Sequence, residues 1–126
     1  MNQQSTNQSG DRPDTQPDDR PVVAITGCSG LIGTRLAEQL SPRYRLIGLD
    51  IQRPDFEVEG FEFIECDLTD DQNVAACVEK LSDLSGGKLA SLVHLAAYYD
   101  FSGEPSPLYE QLTVEGTRRL LEACRS

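Results

Sequence analysis

One stretch of the sequence, residues 22–33 (VVAITGCSGLIG), joins a short apolar run to a glycine-rich turn and then to a helical pattern. The β-branched run is typical of a strand covered on both faces in a parallel sheet. Gly27 permits a tight turn, Gly30 lets backbone N–H groups approach a pyrophosphate, and Gly33 allows close helix packing. The helix N-terminus adds free N–H groups and the positive end of its dipole. The stretch therefore predicts a phosphate site between a strand and a helix.

An acidic residue, Asp50, ends the apolar segment 46–49. A carboxylate at about this distance beyond the first glycine accepts hydrogen bonds from the ribose hydroxyls of a dinucleotide, and its charge disfavours a 2′-phosphate. The pattern therefore favours NAD over NADP as the cofactor. Two alternatives stay open. Arg53 is placed to bind a 2′-phosphate, and Asp50 is also compatible with a solvated loop residue.

The spacing Thr26-Gly27-x-x-Gly30-x-x-Gly33 resembles the TGxxGxxG fingerprint of the extended short-chain dehydrogenase/reductases, the group of NAD-dependent epimerases and dehydratases. Three later segments resemble this family too: Asp67-Leu68, His94-Leu95-Ala96-Ala97 and residues 113–123. The resemblance implies a cofactor-binding set made of Gly27, Gly30, Leu31, Ile32, Gly33, Asp50, Asp67, Leu68, Leu95, Ala96 and Ala97. It also implies hydride transfer on a nucleotide-sugar or similar hydroxyl-bearing small-molecule substrate.

The chain departs from this family at the residues of catalysis. The family uses a Tyr and a Lys four positions later, whereas Lys80 and Lys88 follow Ala76 and Leu84 at that spacing. No catalytic residue is therefore predicted, and we expect the chain to be the first half of a larger enzyme. The family's active-site Asn is replaced by Thr113, which keeps a hydroxyl but loses the amide. A noncatalytic dinucleotide-binding or sensing module is the alternative.

The chain of 126 residues carries a formal net charge of −10. This charge argues against binding nucleic acid or an anionic membrane, because both need clustered Lys and Arg. No apolar run approaches membrane-spanning length, and residues 1–20 do not resemble a secretory signal. Four scattered cysteines and one histidine offer no metal-ligand spacing, so no metal is predicted. A cytoplasmic location is expected.

Two side chains near the predicted site have competing interpretations. Cys28 lies near a helix N-terminus, where a thiol pKa can fall, but a small residue tolerated in the turn is favoured over a redox-sensitive thiol. His94 is predicted either to be a satisfied strand-end histidine or to lie beneath the cofactor, and a catalytic base is not expected. The other cysteines, Cys66, Cys77 and Cys124, fall on apolar faces and are predicted to be core residues.

The order of the predicted elements indicates the fold class, an α/β Rossmann-like doubly wound parallel sheet with about four strands in the order 3-2-1-4. The resemblance implies that this sheet is incomplete. Residues 1–21 are polar and are predicted to be a disordered tail. Strands are expected at 22–25, 45–50, 61–66 and 89–97, and helices at 31–40 and after a capping box formed by Thr69 and Gln72. The fourth strand is apolar and is predicted to be central, or to become an open edge if the chain stops at Ser126.

A long helix is predicted to begin near Ser106 and to run to Cys124, with apolar residues at four-residue spacing and a gap at Gly116. The gap indicates the close approach of another backbone. The resemblance implies that this helix forms a homodimer interface. The preceding tyrosines, Tyr98 and Tyr99, and Tyr109 at the start of the helix, are predicted to pack at the core or rim, or to line the pocket.

Overall fold

A computed structural model describes residues 19–55, 58, 60–97, 102 and 104–125. Within these residues the chain forms a four-stranded parallel sheet with the strand order β3-β2-β1-β4. The strands are β1 (Val22–Thr26), β2 (Arg45–Asp50), β3 (Glu62–Glu65) and β4 (Leu89–His94). The predicted fold class and strand order are confirmed. Most of the predicted tail lies outside the described residues.

Helices cover both faces of this sheet. They are α1 (Leu31–Leu40), α2 (Asp71–Ser85) and α3 (Glu115–Arg125), the last preceded by a π-helical segment, Tyr109–Val114. Alternate β1 residues serve the two faces: Val23 and Ile25 pack with Ala37 of α1, whereas Val22 and Ala24 join the core with α2 and α3. All five residues of β1 are buried, as predicted for a strand covered on both sides.

The chain reverses its direction across the sheet at β1. It leaves β1 through α1 to reach β2 on one side, and it later returns through α2 to β4 on the other. Thr26 at the end of β1 is therefore paired with Leu49 of β2 and with His94 of β4. Open α/β sheets bind ligands at the carboxyl ends of their strands where the order reverses. The fold thus predicts a site beside Thr26.

The strand β4 occupies an edge of the described sheet. It pairs with β1, and Ala90 and Ser91 are exposed whereas Leu92 and Val93 are half-buried. Its apolar composition predicted a central strand, and this placement is wrong within the described chain because no described strand lies beyond it. The alternative expectation, an open and partly apolar edge, describes the structure.

Helix ends differ from the predicted caps. The N-cap of α2 is Asp70, whose side chain accepts from the N–H groups of Gln72 and Asn73, so the capping box assigned to Thr69 is wrong. The predicted long helix begins as the π-helical segment and continues as α3. Cys124 is exposed in the last turn of α3, which corrects its assignment to the core.

Gly116 of α3 is buried against Leu68, which lies in the segment after β3. A Cβ on this residue would lie 3.0 Å from Leu68 Cβ and 3.2 Å from the Leu68 carbonyl oxygen. The predicted close approach of a backbone is confirmed, and the backbone belongs to the same chain. None of the described helices is long and apolar enough to cross a bilayer.

Candidate functional site

A cleft of about 580 Å³ opens at the carboxyl edge of the sheet. Its lining includes eight of the predicted site residues, which are Gly27, Gly30, Asp50, Asp67, Leu68, Leu95, Ala96 and Ala97. Three predicted residues are not part of this lining. Leu31 lines a neighbouring pocket of about 430 Å³, Ile32 is 63% exposed, and Gly33 is buried beneath the loop.

The structure requires a glycine at two of the three loop positions, Gly27 and Gly33, and not at Gly30. Gly27 has a φ of +69°, and a Cβ there would lie 2.8 Å from the backbone nitrogen of Ala96. A Cβ at Gly33 would lie 2.6 Å from the carbonyl oxygen of Gly27, so Gly33 lets the first turn of α1 pack on the loop itself. At Gly30 an added Cβ would meet only that same oxygen, at 3.5 Å, which is ordinary contact. The chain's own packing therefore does not require Gly30.

The N-terminus of α1 faces this loop without a side-chain cap. Its N-cap is Gly30, in an extended conformation with no side-chain hydrogen bond, and its first turn contains no acidic residue. The first N–H groups of a helix carry partial positive charge and attract anions when nothing else satisfies them. The end of α1 therefore has the electrostatics of a phosphate site.

The carboxylate of Asp50 is held by hydrogen bonds to both of its oxygens. Oδ2 accepts from the backbone N–H of Ser29 at 3.0 Å and from the Ser29 hydroxyl at 2.6 Å. Oδ1 accepts from the N–H groups of Ile51 at 2.8 Å and Gln52 at 3.4 Å. Asp50 is therefore fixed between the glycine loop and the end of β2, unlike a freely solvated loop residue.

The Asp67-Leu68 pair forms the wall of the cleft beyond β3. The hydroxyl and the N–H of Thr69 donate to Asp67 Oδ1 at 2.6 and 3.0 Å. These two bonds, with a smaller contribution from Arg119, lower the pKa of the Asp67 carboxyl. Arg119 also donates to the Leu68 carbonyl oxygen at 3.2 Å, and the Leu68 side chain packs on Gly116. This wall is thus attached to α3.

The chain leaves β4 along the floor of the cleft. The Thr26 hydroxyl accepts from the N–H groups of Leu95 at 3.0 Å and Ala96 at 3.2 Å. The His94 ring lies between the hydroxyls of Thr26, 2.6 Å from Nδ1, and Thr117, 2.8 Å from Nε2. Burial lowers the pKa of His94. Of the two interpretations of His94, the geometry supports the satisfied strand-end histidine.

The side chain of Cys28, a residue of the glycine loop, is completely buried. Burial, and secondarily the charge of Asp50, raise the pKa of its thiol to about 12, which is the opposite of an activated thiol. The favoured interpretation, a small residue of the turn, agrees with this environment. Gly48 provides the space, since a Cβ there would lie 2.6 Å from the Cys28 sulfur. Cys66 and Cys77 are buried as predicted.

Several residues of the cleft were not predicted from the sequence. Ser29 contacts Asp50 across a separation of 21 residues, for which the sequence contains no local signal. Thr26 stands inside the glycine motif, so its hydroxyl could have been recognised as a candidate. Leu108 and Leu112 of the predicted long helix also line the cleft, a role that their four-residue spacing does not indicate.

Residues with catalytic or metal-binding potential are scarce in the described part of the chain. The tyrosines in this part are Tyr44 and Tyr109, and neither lines the cleft. Tyr98 and Tyr99, which were predicted to pack or to line the pocket, lie outside the described residues. The described residues contain no cluster of metal-ligating side chains. Arg53 lines the neighbouring pocket with Ser29 and lies over the Phe63 ring, 5.5 Å from its centroid.

Comparison with known proteins gives a family and several relatives. A sequence model of the NAD dependent epimerase/dehydratase family matches residues 23–126. The decarboxylating sterol-4-alpha-carboxylate 3-dehydrogenase of Candida albicans is 29% identical over 115 residues, which cover 82% of this chain and 30% of that protein.

Solved structures show the same fold. UDP-glucose 4-epimerase from Thermus thermophilus, in complex with NAD, is 27% identical with a TM-score of 0.67, over 82% of this chain and 33% of that one. Uronate dehydrogenase from Agrobacterium tumefaciens is 27% identical with a TM-score of 0.66, over 84% of this chain and 36% of that one. The chain spans about a third of the length of these relatives.

Proposed function

Because the chain belongs to the NAD-dependent epimerase/dehydratase family, we propose that its cleft binds NAD and that it is the cofactor-binding half of an oxidoreductase. One observation carries the proposal. Gly30 is the loop glycine that the chain's own packing does not require, and it lies at the uncapped N-terminus of α1. A glycine at this position is explained by a ligand whose phosphates must approach the backbone.

The phosphate end of the cofactor is assigned to the start of α1. Leu31, Ile32 and Gly33 would hold the pyrophosphate through their backbone N–H groups, beside the open space at Gly30. The side chains of Leu31 and Ile32 are 79% and 63% exposed, so only their backbone takes part in this assignment. The dipole of α1, whose positive end lies at these residues, would add to the attraction.

The ribose of the adenosine is assigned to Asp50. A carboxylate offers about four acceptor positions, and in the free chain its bonds to Ser29, Ile51 and Gln52 occupy them. We therefore expect a ribose hydroxyl to replace the Ser29 hydroxyl at Oδ2. The N–H groups would remain and keep the carboxylate in position.

The two ends of NAD are assigned to the remaining walls. Asp67 and Leu68 would contact the adenine, and the segment Leu95, Ala96 and Ala97 would lie beneath the cofactor toward the nicotinamide. Small residues suit that floor because the dinucleotide must lie against backbone. When bound, NAD accepts or returns a hydride, and the residues of this chain bind and orient it.

The activity of the whole protein is proposed on the family and on its relatives. We propose hydride transfer at a carbinol carbon of a nucleotide-sugar or similar hydroxyl-bearing substrate. The Candida relative is a dehydrogenase of a sterol carboxylate and the Thermus relative an epimerase of UDP-glucose, so both act on substrates that carry hydroxyl groups. The catalytic Tyr and Lys would follow residue 126 in a longer chain.

A noncatalytic dinucleotide-binding or sensing module is the second candidate. One observation favours it, which is that Thr113 replaces the family's Asn. The gene sequence beyond Ser126 discriminates between the two candidates. A Tyr-x-x-x-Lys within the next few dozen codons favours the enzyme, and its absence favours the module.

Two finer predictions also remain proposals. A homodimer through the helix predicted from about Ser106 to Cys124 is supported by Val114 of the π-helical segment and Leu121 of α3, which are 52% and 57% exposed. Gly116 gives no support because Leu68 fills the space beside it. Sedimentation velocity of the protein and of Leu121→Glu tests this interface, and a monomeric wild type contradicts it. The cytoplasmic location is supported by four free cysteines.

The ribose assignment is tested with Asp50→Ala. We expect NAD binding to weaken roughly 10- to 100-fold, the value of hydrogen bonds to a charged group, and the preference for NAD over NADP to relax. Asp83→Ala is the matched control, since it removes the same charge from an exposed position on α2. Calorimetric titration with both nucleotides gives the result, and an unchanged preference in Asp50→Ala contradicts the assignment.

A further inference from the structure

The His94 ring lies at the centre of a chain of hydrogen bonds between the cleft floor and α3. Its Nδ1 is 2.6 Å from the Thr26 hydroxyl and its Nε2 is 2.8 Å from the Thr117 hydroxyl. The Thr117 hydroxyl in turn lies 2.6 Å from the Thr113 carbonyl oxygen. These distances leave both ring nitrogens satisfied without any contact to a ligand.

The partners determine where each proton lies. A carbonyl oxygen only accepts, so the Thr117 hydroxyl donates to Thr113 and must accept from Nε2 of His94. The Thr26 hydroxyl accepts from the N–H groups of Leu95 and Ala96, so its own proton goes to Nδ1. In this arrangement each ring nitrogen of His94 has one hydrogen-bond partner, and His94 is the neutral tautomer with its proton on Nε2.

This tautomer joins two walls of the cleft. On one side, Thr26 holds the N–H groups of Leu95 and Ala96, which line the floor. On the other, Thr117 is bonded to the π-helical segment, which contributes Leu112 to the lining. Hydrogen bonds in such a chain polarise and orient one another, so the position of the floor depends on the position of the helical wall.

We propose that His94 is a positioning residue: held as its Nε2–H tautomer between Thr26 and Thr117, it fixes the floor of the dinucleotide cleft relative to the helical wall. The inference rests on the proposed function, because the cleft is the one assigned to NAD. His94 does not contact the reacting atoms, and its role is distinct from that of a catalytic base.

The first test determines the tautomer of the His94 ring in the wild-type protein. The sequence contains one histidine, so ¹⁵N-histidine labelling of the untagged protein gives the signals of a single ring. Long-range ¹H–¹⁵N correlation spectra at neutral pH should show a protonated Nε2 and an unprotonated Nδ1. A proton on Nδ1, or a rapid mixture of tautomers, overturns the proposal whether or not the protein binds NAD.

The second test breaks the chain at its far end, away from the floor. Thr117→Val removes the acceptor of Nε2, and Thr117→Ser keeps a hydroxyl as the matched control. We expect Thr117→Val to weaken NAD binding about fivefold and to speed amide exchange of Leu95 and Ala96 about fivefold, the value of one neutral hydrogen bond. Thr117→Ser should restore both properties.

The outcomes separate this inference from the function on which it rests. A wild-type protein that does not bind NAD contradicts the proposed function, while the tautomer and the amide exchange still decide the role of His94. A wild type that binds NAD, with unchanged affinity and exchange in Thr117→Val, overturns the coupling. If Thr117→Val fails to fold, the His94 tautomer in the wild type and the amide exchange rates of Leu95 and Ala96 in Thr117→Ser provide the test. Exchange rates far above those of the wild type overturn the proposal, and rates equal to those of the wild type support it.

Discussion

Replacement of Gly30 by valine separates a glycine kept for a ligand from glycines kept for folding. The φ of Gly30 is −75°, which any residue adopts, and an added Cβ makes only an ordinary contact of 3.5 Å with Gly27. We expect the free energy of unfolding of Gly30→Val to fall by no more than about 1 kcal/mol, the cost of losing a favourable N-cap residue.

The effect of Gly30→Val on binding should be far larger. The valine side chain occupies the space through which a pyrophosphate approaches the N-terminus of α1. Loss of two hydrogen bonds to a charged group, at about 1.5–3 kcal/mol each, weakens NAD binding at least about a hundredfold. Calorimetric titration measures the binding, and urea denaturation followed by circular dichroism measures the stability.

Gly27→Ala is the matched comparison in the same loop. At Gly27 the φ of +69° and the 2.8 Å distance to the Ala96 nitrogen predict a loss of about 2–5 kcal/mol from backbone strain and overpacking. NAD binding by Gly30→Val equal to that of the wild type would contradict a ligand-binding role for Gly30. A loss of stability as large as that of Gly27→Ala would contradict it as well.

Three further predictions concern the walls of the cleft. Burial lowers the pKa of His94 from its ordinary 6.5, so the unfolded chain takes up a proton first, and the free energy of unfolding decreases as the pH falls from about 6.5 through the folded pKa. Urea denaturation at several pH values should show this decrease in the wild type and not in His94→Gln. Asp67, whose pKa is lowered from 3.8, changes the stability only at lower pH. Arg119→Ala should lose about 1–2 kcal/mol on urea denaturation, because it removes the donor to the Leu68 carbonyl oxygen, and no loss contradicts that role. Gly116→Val should cost about 1–3 kcal/mol by pressing on Leu68, and a thermal melt equal to that of the wild type contradicts the packing.

Features with a local cause could be predicted from the sequence. The β-branched run before Gly27 and the glycine spacing after it define β1, the turn and α1 without reference to other parts of the chain. Apolar segments indicate the second and fourth strands, alternation of apolar and acidic residues indicates the third, and the handedness of crossovers fixes their order. The same local patterns account for the confirmed bounds Leu31–Leu40 and Arg45–Asp50.

Features that depend on distant partners could not be predicted. The Ser29 bond to Asp50 and the Thr26 bonds to Leu95 and Ala96 join segments that meet only in the folded sheet. The N-cap of α2 is Asp70 and not the predicted Thr69, whose hydroxyl donates to Asp67 instead. The spacing that predicted Cys124 to be a core residue could not show that this side chain is exposed in the last turn of α3.

Binding of NAD at the carboxyl edge of the sheet is tested by calorimetric titration of the purified protein. Circular dichroism and sedimentation first establish that the protein is folded and monodisperse. We expect saturable binding of one NAD per chain, weaker binding of NADP, and no detectable NAD binding by Gly30→Val. A folded, monodisperse wild type that releases no heat on titration and retains no NAD in equilibrium dialysis contradicts NAD binding by this chain.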